Sequence, residues 1–237
     1  MKLRSNSLFH FTPKFDYLKN ILLEGFWAKF CRESGWGNKY IDYALPMVCF
    51  CDMPLSMINE HTEYYGFFGI GVSREWIRKH KTITPVQYIA TNSKEYNQTT
   101  RLLTALKNNN INEFQAQKLC LSKKVSGKVV DKTGIRRNKI FYNEREWRYV
   151  PEYLPTEKLI MAIDKSTKFD ADAVSNITDE KRLVIDMDSI QYLIIPKERN
   201  RKEMIDAIED IYSSVNRDSR LKLLSKIISV EQITNDF

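Results

Sequence analysis

The chain of 237 residues contains little cysteine and no long apolar run. Its four cysteines are irregularly spaced, and no two form the CxxC pair that is typical of a zinc site. Cys49, Cys51 and His61 would need a further ligand to bind zinc, so we expect small reduced thiols and no metal. No stretch reaches the roughly 20 apolar residues of a membrane-spanning helix. The opening "MKLRSNSLFHFTPKF" also lacks the apolar core of a signal peptide, so we expect a soluble, cytoplasmic protein without membrane contact.

The remaining composition is that of an ordinary globular protein, 43% hydrophobic and 12% aromatic, without repeats or low-complexity linkers. Stretches such as "SLFHFT", "PMVCFCDMP", "FFGIGVS" and "SIQYLIIP" have the content of strands, whereas "FDYLKNILLEGF" and "KEMIDAIEDIYSSV" have helical spacing. This mixture predicts a single α+β domain over residues 1–237. Within it, "RESGWGNKYIDYA" is predicted to be irregular, and the C-terminal tail is predicted to end with a strand.

Residues 91–140 are more polar than the rest and are predicted to form an insertion. One helix over residues 99–121 is expected there, followed by a basic loop. Between residues 123 and 139 there are seven cations and one acid, which hold most of the net charge of +7. Such a segment is expected to be exposed and mobile, and to attract phosphates in a salt-dependent way. The candidate nucleic-acid-binding residues are Lys123, Lys124, Lys128, Arg136 and Arg137.

The stretch "FYNEREWRYVPE" places two glutamates one residue apart directly after the basic segment. In a strand, alternation would put Glu144 and Glu146 on one face, and Trp147 and Tyr149 on the other. The two acids could then form a catalytic face. They could equally be solvated, with exposed ion pairs that contribute about 0 to 1 kcal/mol.

Two further positions admit both a structural and a functional interpretation. His10 lies between two phenylalanines of "FHFT" and is either a buried, hydrogen-bonded residue or a ligand-binding one. Tyr64 and Tyr65 precede the glycine-bearing strand "GFFGIG" and could pack in the core or stack on a flat ring. The glycines there are more typical of close backbone approach than of a phosphate-binding loop, because no lysine-bearing helix start follows.

Several of these segments together resemble one family. "LFHFT", "LKNILLEGF", "PMVCFCDMPLS", "YYGFFGIGVSREW", "PVQYI" and "EREWRYVPE" resemble the AbiGi family of abortive-infection phage resistance proteins. The likeness spans nearly the whole chain and is weakest over residues 91–140. It implies the role of an antitoxin whose partner is a nucleotidyltransferase-like toxin.

A more distant resemblance implies a chemistry. The order histidine, tyrosine, glutamate is similar to that of ADP-ribosyltransferases, and the opening histidine-threonine strand is similar to that of DNA-modifying toxins of the DarT type. This resemblance implies a split, mixed β-sheet with flanking helices and NAD as cofactor. It assigns His10 and Thr12 to NAD binding, Tyr65 to stacking on nicotinamide, Glu146 to catalysis and Glu144 to handling the acceptor. In such enzymes a carboxylate stabilises the oxocarbenium-like ribose that loss of nicotinamide leaves.

Two functions therefore remain open at this point. The first is an NAD-dependent ADP-ribosyltransferase that modifies nucleic acid, with the basic segment selecting the acceptor. The second is a catalytically inactive antitoxin that uses the same fold to bind its cognate toxin. In either case a toxin or antitoxin protein is an expected partner.

Overall fold

A computed structural model describes residues 5–37, 41–130, 136–152, 160–166, 168–170 and 181–236, without the side chains of residues 130 and 136. Thirteen strands are present in this part of the chain. They are β1 Ser7–Thr12, β2 Lys29–Glu33, β3 Ile41–Cys51, β4 Phe68–Ser73, β5 Ile83–Pro85, β6 Gln87–Ile89, β7 Ser122–Lys124, β8 Ser126–Val130, β9 Arg136–Ile140, β10 Glu146–Tyr149, β11 Met161–Asp164, β12 Ile190–Ile195 and β13 Ile227–Ser229. The helices are α1 Phe15–Glu24, α2 Ile58–Tyr65, α3 Arg74–Lys79, α4 Lys94–Lys107, α5 Glu113–Cys120, α6 Arg201–Ile211, α7 Arg217–Leu224 and α8 Val230–Asp236.

One mixed sheet of nine strands forms the centre of this α+β fold. Its main order is β13-β12-β4-β1-β3-β10-β5, and every neighbouring pair is antiparallel except β12 and β13. The central strand β3 is 11 residues long. Its second half pairs with β10, while its first half pairs with β2 and β11. Because β3 pairs with different strands along its two halves, it joins the two parts of the sheet.

Helices cover both faces of the sheet. On one face, apolar residues of α1, α3 and α6 pack with Phe26, Phe50 and Leu193. On the other face, residues of α2 and α8 pack with Phe9, Phe11 and the strands beside them. The alternating side chains of β1 supply both packing layers, as expected for a strand that is buried on both sides. No helix in the described ranges is long and apolar enough to cross a membrane.

The predicted strands over "SLFHFT", "FFGIGVS" and "SIQYLIIP" and the helix that ends before Gly25 are confirmed. The stretch predicted to be irregular instead contains β2 and the start of β3. The tail forms the short strand β13 and then continues into α8, so the prediction that it ends with a strand is wrong. All four cysteines are free thiols, as expected, and Cys51 and Cys120 are buried. No group of three metal-binding side chains is found among the described residues.

Residues 91–140 also differ from the prediction. The single expected helix is two helices, because Asn112 starts α5 with a capping box that it shares with Gln115. The expected basic loop consists of β7, paired with β6, and a hairpin of β8 and β9. Leu103 of α4 and Leu119 of α5 are fully buried against β3, in a second core that includes Tyr43 and Leu45. The segment is therefore packed into the fold, and its strands carry basic residues to fixed positions.

Gly66 ends α2 in a backbone conformation that favours glycine. Its φ is 116° and its ψ is 166°, and a Cβ there would lie 2.3 Å from the carbonyl oxygen of Thr12. This contact involves backbone atoms of β1, which cannot move aside without disturbing the sheet. The absence of a side chain at Gly66 therefore sets how closely α2 approaches β1.

We expect Gly66→Ala to lower the free energy of unfolding by at least about 2 kcal/mol, because the conformation alone costs about 1–3 kcal/mol for a non-glycine residue. Urea denaturation measures this loss. The matched control is Glu63→Ala in the same helix, where the side chain is exposed, and it should change the stability by less than about 0.5 kcal/mol. Equal stability of the two variants would contradict the proposed close approach.

Candidate functional site

The paired glutamates lie at the start of β10 and are both almost fully buried. Glu144 ends a short 3₁₀ helix, Phe141–Glu144, and Glu146 is the first residue of β10. Arg145 between them has a left-handed backbone, with φ 46° and ψ 52°. This turn replaces the strand alternation that the sequence predicts, but it still brings both carboxylates to one set of cations. The interpretation of the pair as a solvated face is wrong.

Lys123 bridges the two carboxylates. Its Nζ lies 2.8 Å from Oε2 of Glu144 and also donates to Oε2 of Glu146. The second oxygen of Glu144 lies 2.7 Å from Nζ of Lys139. The second oxygen of Glu146 accepts a hydrogen bond of 2.5 Å from Nε of Arg148. Every carboxylate oxygen of the pair therefore faces a cation.

Arg148 extends this arrangement further into the protein. Its side chain is completely buried, and its guanidinium donates to the carbonyl oxygen of Cys120 at 2.7 Å and to Oε1 of Glu33 at 2.5 Å. Three carboxylates and three cations are thus interleaved, which balances their charge. We call this set the Glu146 network: Glu33, Lys123, Lys139, Glu144, Glu146 and Arg148.

Tyrosines surround the network on the side of α2. The hydroxyl of Tyr65 donates to Oε1 of Glu144 at 2.7 Å. The ammonium of Lys139 lies 3.9 Å from the ring centre of Tyr64 and 4.6 Å from that of Tyr65, which is cation–π geometry. On the other side, the backbone N–H of Glu146 donates to the hydroxyl of Tyr88 at 2.8 Å. Aromatic rings and ion pairs together exclude water from the carboxylates.

The network keeps Glu144, Glu146 and Lys123 ionised. Burial raises the pKa of Glu146, but Arg148 and Lys123 outweigh this effect and lower that pKa to about 2. Burial likewise opposes ionisation of Glu144, yet Lys123 and Lys139 bring its pKa below the usual value. For Lys123, burial lowers the pKa, and the two glutamates more than compensate, so the pKa lies well above that of a free lysine. At neutral pH these three side chains are charged.

His61 of α2 lies next to the network. Its ring centre is 4.3 Å from that of Tyr65, and its buried Nδ1 has no hydrogen-bond partner among the described residues. Burial, together with the nearby charges of Lys139 and Lys123, lowers its pKa to about 4, although Glu144 acts in the opposite direction. His61 is therefore neutral at physiological pH.

His10 lies on the other face of the sheet from Glu146. Phe9 pairs with Cys51, and Cys51 pairs with Glu146, so these three residues share one face. His10 points to the opposite face, where its ring contacts Phe26 and its Nδ1 donates to the carbonyl oxygen of Cys49 at 2.8 Å. Burial lowers its pKa. These contacts fit the structural interpretation of His10.

The set of residues predicted to bind NAD is only partly brought together. Tyr65, Glu144 and Glu146 are in one cluster. Thr12 is buried at the end of β1 and shares the face of His10 by alternation, away from that cluster. The structure thus places His10 and Thr12 on one face of the sheet and Glu146 on the other.

The predicted nucleic-acid-binding residues are also separated. Lys123 is mostly buried in the Glu146 network, so the prediction that it is exposed in a mobile loop is wrong. Lys124 is half-buried on the other side of β7. Lys128 and Arg137 are exposed on the β8–β9 hairpin, but its register directs them to opposite faces. Arg136 lies in β9, and its side chain is outside the described part of the chain.

The model of one protein family matches residues 25–196, and its description reads "Putative abortive phage resistance protein AbiGi, antitoxin". The chain belongs to the AbiGi family. The matched residues contain every member of the Glu146 network, whereas β1 with His10 lies outside them. This AbiGi chain is also 26% identical over 226 residues to the abortive phage resistance protein AbiGi of Lactococcus lactis subsp. cremoris. The aligned region covers 83% of this chain and 90% of that protein. No solved structure matches it.

Sequence reasoning missed three members of the network, Glu33, Lys139 and Arg148. The sequence did contain an indication for Arg148, because alternation along a strand would place its side chain on the same face as Glu144 and Glu146. Lys139 was one of many cations in the basic segment, and Glu33 lies in a stretch that was predicted to be irregular. Which of the charged residues join the network depends on pairing between strands that are far apart in the sequence.

We expect Lys123→Met to lower the free energy of unfolding by about 3–5 kcal/mol, because it leaves two buried carboxylates without their shared cation. The adjacent Lys124→Met is the control, and it should cost less than about 1 kcal/mol, because Lys124 lies on the other side of β7. Thermal and urea unfolding measure both changes. Similar losses for the two variants would show that the network does not hold this region together.

Proposed function

We propose that this protein acts in defence against phage as an antitoxin, which binds a toxin protein and suppresses it without chemistry of its own. The observation that carries this proposal is the pairing of Glu146. Both of its carboxylate oxygens face cations, Lys123 and Arg148, inside the protein. A glutamate that stabilises a cationic ribose must approach the sugar and offer it negative charge that is not already compensated.

The energetics of the network support a structural role. A fully paired buried network is tolerated because the ion pairs and hydrogen bonds offset the loss of hydration, but removal of one partner leaves an uncompensated charge. The members come from β2, β7, β9, β10 and the 3₁₀ helix before β10. The network therefore connects the polar segment of residues 91–140 to the sheet, which is a sufficient reason for the carboxylates to be there.

The proposed partner follows from the family. Its description includes the word antitoxin, and the resemblance described above implies a nucleotidyltransferase-like toxin as the partner. An antitoxin needs a stable fold with a surface that is complementary to the toxin. The buried ion pairs of the carboxylates contribute to a stable fold, and they do so without any bound substrate.

A second candidate function is the NAD-dependent transfer of ADP-ribose to nucleic acid. One observation favours it: Tyr65 is 38% exposed beside two adjacent carboxylates, so a flat ligand could stack there. Glu146 and Glu144 would be the acidic residues of that site. The position of His10 does not fit it, and we derive no reaction step from it.

We expect this protein to restore growth of cells that express a nucleotidyltransferase-like toxin from the same genome, and to co-purify with that toxin. Cells that express the nucleotidyltransferase-like protein alone are the reference for toxicity. Absence of both rescue and a complex would refute the antitoxin proposal.

We also expect the purified protein to release no nicotinamide from NAD above a protein-free blank, with DNA, RNA or protein present as acceptor. Mass spectrometry of the reaction measures the release. Release by the wild type that is lost in Glu146→Gln, together with an unchanged melting temperature, would support the transferase instead. Glu144→Gln would then test the role of the second acid.

A further inference from the structure

Lys123 and Lys124 are neighbours in β7, but their ammonium groups have different surroundings. Lys123 is held by the two carboxylates of Glu144 and Glu146. Lys124 is half-buried, and its ammonium group forms no hydrogen bond and no ion pair with any residue in the described ranges. It has therefore lost hydration that no hydrogen bond from the protein replaces.

The ammonium group of Lys124 lies between two glycines from different parts of the chain. A Cβ on Gly35, in the connection after β2, would be 2.3 Å from Nζ of Lys124. A Cβ on Gly127, in β8, would be 3.0 Å from the same atom and 2.8 Å from the ring of Phe141. We call this arrangement the Lys124 notch: Gly35, Lys124, Gly127 and Phe141. These neighbours offer no polar side chain to the ammonium group.

Burial and nearby charges together set the protonation of Lys124. Burial lowers its pKa, and this effect is larger than that of any neighbouring charge. Lys165 acts in the same direction, whereas Glu33 of β2 and Asp42 of β3 act in the opposite one. Both acids already form ion pairs with arginines. Because the pKa is lowered, Lys124 has more neutral amine at physiological pH than a fully hydrated lysine has.

We propose that Lys124 is a site of covalent N-acylation by small acyl donors, namely acyl phosphates and thioesters. The side chain is only partly buried, and neither a carboxylate nor a carbonyl oxygen in the described part of the chain holds its proton. Its lone pair can therefore attack once the proton has left. Lys123 is excluded, because two carboxylates stabilise its charged form. This inference does not depend on the proposed antitoxin function.

The reaction requires no further group from the protein. The neutral Nζ attacks the carbonyl carbon of the donor and forms a C–N bond. The bond from that carbon to the oxygen or sulfur of the leaving group breaks, and phosphate or thiolate departs with the electron pair. Nζ releases one proton to solvent. The product is a neutral amide, which loses less than an ammonium ion does on burial, so the acylated protein should keep its fold.

The test is brief labelling of the full-length protein with acetyl phosphate at neutral pH, followed by mass spectrometry of its peptides. Lys118 of α5 and Lys128 of β8 are internal references, because the first is also half-buried and the second is exposed. We expect Lys124 to be acetylated at least about threefold faster than either reference, and Lys123 more slowly than both. An acetyl thioester should give the same order of rates. If neither donor labels Lys124 faster than the references, the inference is wrong.

Gly127→Ala separates the effect of the Lys124 notch from that of ordinary exposure. The added methyl group would meet the flexible end of Lys124 and the ring of Phe141, so it should move the ammonium group towards solvent. We expect the labelling rate of Lys124 to fall to that of the references, whose own rates should not change. An unchanged rate in a variant that melts normally would overturn the inference. If the variant melts early, the comparison within the wild type decides the question alone.

Discussion

Arg148 carries a positive charge in the interior of the protein, with no exposed part of its side chain. Such a charge is tolerated only when hydrogen bonds and opposite charges replace the water that it has lost. Glu33, Glu146 and the carbonyl oxygen of Cys120 supply these contacts. They come from three separate parts of the chain, so the position of this one guanidinium constrains β2, the end of α5 and β10 together.

The remainder of the network follows from the same requirement. Glu146 needs a second cation for its other oxygen, and Lys123 of β7 provides it while also reaching Glu144. Glu144 in turn holds Lys139 and the hydroxyl of Tyr65, which ties the β8–β9 hairpin and α2 to the same centre. Strands and helices that are far apart in sequence thus meet around a buried, charge-balanced network, which lies beside the hydrophobic cores.

This arrangement changes how paired glutamates at the start of a strand should be interpreted. The same E-x-E pattern is compatible with catalysis, with a solvated face and with a buried network, and these differ in where the compensating cations lie. In an enzyme of the predicted type, at least one carboxylate would retain charge for the substrate. Here the cations are part of the fold.

The sequence alone determined the α+β class, the strand over "SLFHFT", the helix that Gly25 ends, and the closeness of Glu144 to Glu146, because these depend on local periodicity and short-range geometry. The resemblance to AbiGi also rested on local segments. Only the tertiary structure decided that His10 and Glu146 lie on opposite faces, because this depends on the register of β1, β3 and β10. It alone selected Lys123 and Lys139 from the many cations of the basic segment as buried partners, because burial depends on strands that pair across the fold.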